Sequence, residues 1–488
     1  MSLARTLARH TIDVPPLPPP VQDWMRHLLM DYYTVTVGGT DRHSAAAARA
    51  SAALSEEPDE LRCASLHGIS AWATVEEAAL VNGITAHGLE LDDTYEQASS
   101  HPGVAIFPAV LAIADAQGES AGKVLQATTV GYDVMCALGV LVGPAESYAR
   151  GFHPTGITGA VGATAAVCSI MDLGEERTTH ALGLAADMAS GSLEFLSDGS
   201  WTKRLNAGQA AATGIRAARL AAAGFTAPAT SLEGRDGFLR QYGQGQIPGR
   251  TLHLELGRGA LETSIKFYPC CRYMHGNIDL LIALRREMPE LSLKDIESIE
   301  VAVIKAGAAL VAVPAERKRV ITTSVDAQFS MPFGAAVALA TGAATVEQFD
   351  RAAAVADELR PWIEKVRCYE SEDLEAAYPA AWQAEVRLRL KDGNVIDKST
   401  GAFRGSPPRR ASRDDLEAKA SQLIGPDAAR LLAASVFDMV LSRPLAEQVD
   451  LSALNAMAPA SANADIRAPL QGVPRQSPSM SNVADPLP

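Results

Sequence analysis

Residues 156–171 read GITGAVGATAAVCSIM, an uncharged stretch with glycine at positions 156, 159 and 162. Small and apolar residues recur there at three- and four-residue spacing, which predicts a helix. Glycine weakens a helix unless something must come close to it. Three glycines at this interval therefore predict helices packed nearly backbone to backbone. A G-x-G-x-x-G dinucleotide loop has different spacing and follows a strand, and no strand pattern precedes this segment. The uncharged run, residues 155–171, is shorter and poorer in Leu and Ile than a membrane span. The reading is a buried helix in a mainly α protein, with no membrane partner expected.

The same texture continues on both sides. Residues 75–89, 121–142 and 208–223 repeat the helical spacing, and the pattern stays helical from Trp24 to about Ala260. It changes after Lys266. Residues 296–304 (IESIEVAVI) alternate like a strand, as do residues 385–390 (EVRLRL), which lead through Lys391, Asp392 and Gly393 into a second strand at 395–398. Helical stretches at 276–286 and 327–340 lie between them. The chain returns to helix at 413–424 and 428–436. This predicts a large all-helical domain built from residues 1–265 and 403–450, with a smaller α+β lid domain, residues 266–402, inserted into it. The remainder, residues 451–488, is rich in Pro, Ser, Ala and Asn without periodicity and is expected to be disordered. A cleft between two such bodies is a usual place for a ligand.

Composition narrows the function. The 488 residues carry a formal charge of −14, which argues against nucleic acid as a partner because phosphate binding needs an excess of Lys and Arg. Aromatics are only 5% of the chain against 47% for all hydrophobics, favouring close helix packing over a base-stacking surface. An anionic substrate would need cations gathered locally in a cleft. The cysteines at 63, 136, 168, 270, 271 and 368 form neither a C-x-x-C pair nor a zinc spacing, so a reducing cytoplasm is expected. Arg5 and Arg9 faintly suggest a presequence, but a plain first helix is the simpler reading.

The densest polar cluster is His87, Glu90, Asp92, Asp93, Thr94 and Tyr95, followed by His101 and Pro102. On a helix, His87, Glu90 and Asp93 share one flank at three-residue spacing. Clustered carboxylates and imidazoles shift one another's pKa values and suit acid–base work. A capped helix end with a solvated acidic turn explains the cluster equally well. Imidazole plus carboxylate also suits a divalent metal. Asp92, Asp93 and Glu96 imitate the acidic cluster of helical isoprenoid synthases, but no second acidic motif accompanies them.

Three cationic stations follow. His153 stands before the glycine-rich helix, where it could reach an anion at the helix N-terminus. Lys203 and Arg204 lie just before another Ala-rich helix. Lys266, Arg272 and His275 lie at the junction of the two bodies. Each alone is more often structural; together they could supply the positive field that the acidic chain lacks. No G-x-S-x-G elbow or phosphate loop is present.

Five segments taken together resemble the motifs of the MmgE/PrpD family, in the family's order. They are Asn82-Gly83 through His87, Glu90, Asp92, Asp93, Thr94, His101 and Pro102; then Phe152-His153-Pro154-Thr155; Thr202-Lys203; Lys266 through Tyr268, Pro269, Cys270, Cys271, Arg272, Tyr273 and His275; and Asp326-Ala327-Gln328-Phe329-Ser330. The resemblance implies a helical domain with an inserted lid, usually as a homodimer, working on a small polycarboxylate without metal or organic cofactor. It implies a lyase: dehydration of a 2-methylcitrate-like hydroxy acid first, with cis-aconitate-type decarboxylation or iminodisuccinate-type epimerisation as alternatives. A non-catalytic binding protein on the same fold is a more distant one.

By the same resemblance His101 is an active-site histidine, and His153, Lys203 and Glu90 join it as catalytic candidates. Lys266, Arg272, His275 and Asp93 are the candidates for substrate binding. His101 would move the proton at the reacting carbon, and His153 or His275 would assist the leaving group. Two departures set this chain apart from the decarboxylase branch. Glu90 stands where that branch has Asp, and Cys271 where it carries another histidine; its lid tyrosine has no clear counterpart.

Overall fold

In the computed structural model, which describes residues 1–54, 57–245, 250–378, 381–450, 453, 454 and 456, the glycine-rich segment is the centre of a helical body. That body is built from helices α1 (Pro19–Gly38), α2 (Val75–Ala86), α3 (Gly103–Gln117), α4 (Ala121–Val142), α5 (Pro154–Ile170), α6 (Glu175–Met188) and α7 (Thr202–Ala222). Helix α5 is buried along its length apart from Ser169. Its glycines are the reason its neighbours fit. A Cβ at Gly162 would lie 2.5 Å from Cβ of Met135 on α4, and one at Gly159 would lie 2.9 Å from Cβ of Ala105 on α3. From the other side, a Cβ at Gly214 on α7 would meet Cβ of Ala163 at 2.7 Å. Such distances leave no room for even one added methyl group in a close-packed interior. Helix α4 is long and apolar enough to cross a membrane, and 83% of its most apolar window is buried among the other helices.

The second body holds α8 (His275–Glu287), β1 (Ile296–Val303), α9 (Met331–Thr341), β2 (Val366–Glu370), β3 (Ala384–Leu390) and β4 (Val395–Thr400). The sheet runs β2-β1-β3-β4, with β1 and β2 parallel and the other pairs antiparallel. Gly393, at φ +92°, makes the turn between β3 and β4. Alternate residues Ala384, Val386 and Leu388 of β3 point into the core, and α8 packs on β3 and α9. The chain then returns through α10 (Arg413–Ile424) and α11 (Pro426–Phe437), which pack on α1.

Buried apolar side chains fall into two large clusters. One draws on residues 4–265 together with 411–454. The other draws on residues 268–403 and takes in Phe195. We call the corresponding parts the body and the lobe.

Several local expectations are corrected. The pattern suggested helix through residue 89, but α2 ends at Ala86, with His87 as its C-cap. Helix α7 starts at Thr202, so Lys203 lies inside its first turn rather than before it. The stretch 327–340 divides into a short helix, Ser324–Gln328, and α9. Ser330 caps α9 by accepting from Phe333 N at 3.1 Å, and Pro332 sits in its first turn. Within the helical half, two small ladders interrupt the pattern: Ala64–Leu66 against Ala71–Ala73, and Thr94–Tyr95 against Thr263–Ser264. The expected disorder beyond residue 450 falls almost wholly outside the described residues.

Candidate active site

Two glycines set the position of the first polar group. A Cβ on Gly83 of α2 would lie 2.6 Å from Cα of Gly208 on α7, so the two helices cross in contact. Beyond this crossing, α2 frays into a loop and α7 begins. The loop turns at Glu90, whose φ of +56° is the left-handed conformation that side-chain-bearing residues seldom adopt. This turn aims the Glu90 carboxylate at Lys203, and the two form an ion pair. Strand Thr94–Tyr95, paired with Thr263–Ser264, brings Lys266 beneath the same loop. There Lys266 Nζ donates to the Glu90 carbonyl at 2.9 Å and to Oε1 at 3.2 Å. Arg204 and Gln328 hold the other side of the loop through the carbonyls of Gly88 and Leu89.

The shared helical flank expected for His87, Glu90 and Asp93 does not exist, because the helix stops before the first of them. Each faces a different partner. His87 Nδ1 lies 2.9 Å from Asp92 Oδ1. Asp93 turns away from the pocket, accepting from Gly103 N at 2.9 Å and from the Tyr132 hydroxyl at 2.5 Å. It supports the start of α3 and is not placed to touch a substrate.

A narrow pocket opens between body and lobe and is lined by Glu90, Thr94, His101, His153, Lys203 and Arg272, together with Ser99, Tyr148, Tyr273 and a set of apolar side chains. Of the eight residues singled out from the sequence, these five of Glu90, His101, His153, Lys203 and Arg272 come together. Lys266 is 0% exposed and sits behind Glu90. His275 is buried against Tyr268, its Nε2 3.2 Å from the Cys270 carbonyl and its Nδ1 3.2 Å from Arg272. Lys266 and His275 thus shape the wall from behind, and the expectation that they contact substrate is not supported by their placement.

The cations are already engaged. Lys203 and Lys266 share Glu90, and Arg272 pairs with Glu96 at 2.8 Å. What remains for an anion comes partly from backbone. Helices α3, α5 and α7 all begin at this pocket, directly beside His101, His153 and Lys203, and helix N-termini favour negative charge.

Burial governs the ionisation of the site. It would raise the Glu90 carboxyl, but Lys203 and Lys266 outweigh it and hold the group well below its usual range. Burial would likewise raise Asp92, which the two imidazoles and Lys266 hold down. Burial lowers His101, pushes His87 down to about 4, and with Lys203 drives His153 well below its ordinary value. All three imidazoles are therefore neutral near pH 7. The two lysines differ: burial wins at Lys203, which is lowered, whereas Glu90 and Asp92 overcome burial at Lys266, which is raised.

A neutral imidazole donates from one nitrogen and accepts at the other. At His101, Nδ1 faces the Asp93 carbonyl at 2.8 Å, Asp92 Oδ2 at 3.1 Å and the Thr94 hydroxyl at 3.2 Å. Two of these can only accept, so the proton sits on Nδ1 and the Nε2 lone pair faces Glu90 Oε1, 3.9 Å away. His153 has the opposite setting. Asn206 Nδ2 donates to its Nδ1 at 3.3 Å, which leaves the proton on Nε2. The two rings are 6.4 Å apart, one poised to take a proton and the other to give one.

His87, His101 and His153 offer nitrogens within 4.8 Å of one another, a donor set that could hold a transition-metal ion. The Lys203 ammonium, close enough to depress His153, opposes a cation at that point. Asp92, Glu96, Asn206 and Gln328 are the functional partners that sequence reasoning did not single out as site residues. The first two stand inside the quoted acidic cluster, Asn206 three residues after Lys203 and Gln328 inside the last motif; Asp92 meets its near neighbours His87 and His101, while the partners of Glu96, Asn206 and Gln328 lie far away in sequence.

Comparison with known proteins adds to this geometry. The MmgE/PrpD N-terminal domain matches residues 2–250 and the MmgE/PrpD C-terminal domain matches residues 268–434. Cis-aconitate decarboxylase of Mus musculus is 26% identical over 351 residues, 70% of either chain. The human cis-aconitate decarboxylase is 26% identical over 350 residues, 70% of this chain and 71% of its own. A cis-aconitate decarboxylase-like protein of Aspergillus oryzae is 25% identical over 461 residues, 89% of this chain and 93% of its own.

Proposed function

The chain belongs to the MmgE/PrpD family, and from that premise we propose that it is a lyase acting on a small polycarboxylate, dehydrating a 2-methylcitrate-like hydroxy acid with side chains alone. The observation that carries this reading is the opposed setting of His101 and His153 on one pocket. Dehydration beside a carboxylate removes a proton from carbon and expels hydroxide from the neighbouring carbon. It needs a base and an acid together, whereas decarboxylation needs only a proton donor for the resulting carbanion.

In this reading His101 Nε2 takes the proton from the carbon next to a carboxylate. His153 Nε2–H donates a hydrogen bond to the departing hydroxyl, and the Lys203 ammonium, made more acidic by burial, releases the proton with which it leaves as water. Negative charge gathers on the substrate carboxylate in between. Arg272, Lys203 and the starts of α5 and α7 lower the energy of that state. Lys203 gives part of its contact with Glu90 to the substrate, and Lys266 keeps Glu90 ionised and in place.

The similarity to cis-aconitate decarboxylases favours a second reading, in which the substrate loses carbon dioxide and His101, once protonated, supplies a proton to the carbanion. Both readings are tested by incubating metal-analysed protein with 2-methylcitrate, citrate, cis-aconitate and iminodisuccinate in deuterated water, followed by proton NMR. Loss of water supports dehydration. Loss of carbon dioxide replaces it with the second reading, and deuterium exchange alone replaces it with epimerisation. Activity that tracks a stoichiometric bound metal would overturn the side-chain mechanism.

A further inference from the structure

The pocket has two unlike sides. The body supplies Glu90, His101, His153 and Lys203; opposite them the same cavity is walled by Leu193, Phe195, Leu310, Phe329 and Trp382, with the rings of Tyr148 and Tyr273 beside them. These are not loosely placed. Phe195 packs edge-on to Phe329 at 5.8 Å and to His153 at 6.2 Å, and Trp382 stacks on Tyr273 at 4.4 Å. The Tyr273 hydroxyl, which could have made this side polar, is held by Ser99 at 2.6 Å and by Tyr378 at 3.1 Å. Lys203 lies 5.3 Å from the Phe329 ring centre, so the change from charged to apolar wall falls within the width of one small acid.

Citrate, bearing oxygens on every side, has no face suited to this wall, and the methyl group of 2-methylcitrate covers little of it. A carboxylate pressed against it would lose its water without gaining a partner, which is unfavourable. Resting on the reading of the site as a polycarboxylate lyase, we propose that the natural substrate carries an apolar substituent larger than methyl, an alkyl chain of several carbons or an aryl group. The substituent lies along Phe195, Leu310, Phe329 and Trp382 while its carboxylates meet Lys203, Arg272 and the helix starts. Selectivity among acids then rests on the lobe, and the proton transfers rest on the body.

Binding of non-reacting dicarboxylates separates this inference from the question of which reaction is catalysed. Succinate, methylsuccinate, butylsuccinate and hexylsuccinate are titrated into the full chain by calorimetry. Burial of each methylene is expected to raise affinity about fourfold until the wall is covered. Leu310→Asn, which places an amide on that wall, is expected to flatten the rise, and Leu193→Asn provides the same test at the other end of the wall should the first variant fold poorly. Affinity that stays level or falls as the chain lengthens, with succinate still bound, overturns the substituent and leaves the lyase reading standing. If no member of the series binds, the polycarboxylate reading fails and this inference fails with it.

Discussion

The body and the lobe solve the packing problem in opposite ways. In the body, α5 touches α3, α4 and α7 through glycine and alanine, with distances that exclude one more carbon. In the lobe, the core between β1, β3, α8 and α9 is filled by Ile299, Val301, Leu388, Phe333 and Phe349. Backbone-to-backbone contact leaves few side-chain rotations to fluctuate, and the proton-transfer candidates sit on that side, at the starts of α3, α5 and α7. The lobe gives the pocket Arg272 and a hydrophobic wall. The site thus places groups that need fixed geometry on the more constrained body, and groups that only need to fit a shape on the other.

This contrast can be broken experimentally. The largest effect is expected at His101. His101→Gln should lower kcat/KM by about 10²–10⁴-fold while leaving the thermal midpoint near that of the parent. In the parent, the acid limb of kcat/KM should fall below the ordinary imidazole value of 6.5, because burial favours the neutral ring. A fully active variant removes His101 as the base.

Lys266→Met comes next. It leaves the Glu90 carboxylate buried with a single lysine, and loss of one partner of a buried pair costs about 3–5 kcal/mol. Urea unfolding that shows no loss would mean that Lys203 alone suffices, and that Lys266 is not the support described above.

A matched pair then compares the two cores directly. Leu388→Ala in the lobe should cost about 2–5 kcal/mol through the cavity it leaves. Gly162→Ala in the body should cost about 1–3 kcal/mol through overpacking against Met135. If Gly162→Ala is neutral, the body is softer than its distances suggest and the contrast fails.

A pH-dependent effect is expected at Asp93. Burial lifts its carboxyl from 3.8 to about 7. A carboxyl raised by folding holds its proton more tightly in the folded state, so its favourable contribution is complete below about pH 4 and is lost as pH rises towards 7. Asp93→Asn cannot ionise. Relative to the parent it should gain stability between pH 5 and 8, read from urea midpoints. A difference that stays constant with pH would show that Asp93 ionises as an ordinary carboxylate.

Much of the body was legible because its period is strong. Residues 121–142 and 413–424 were bounded as the structure has them, and the turn at Gly393 announced itself. The strand Val366–Glu370 was not foreseen: it is short, and its parallel partner β1 lies more than sixty residues earlier, so nothing local marks it. The site was legible as residue types but not as geometry. His87, Glu90 and Asp93 keep helical spacing, yet the left-handed turn at Glu90 sends them to three different partners. Lys266 and His275 read as substrate-binding cations because nothing local shows that a charge is buried behind a partner, and Glu90 is 176 residues from Lys266.

One buried lysine closes the structure. Lys419, on α10, pairs with Asp31 of α1 at 2.5 Å and donates to the carbonyls of Leu91 and Lys266, at 2.9 and 2.7 Å. Leu91 is made 328 residues before its donor, an interval of roughly 15–65 s of translation. Through that time the loop bearing Glu90 and Asp92 must wait on the ribosome without its brace, and the newborn enzyme stays unfinished until α10 emerges.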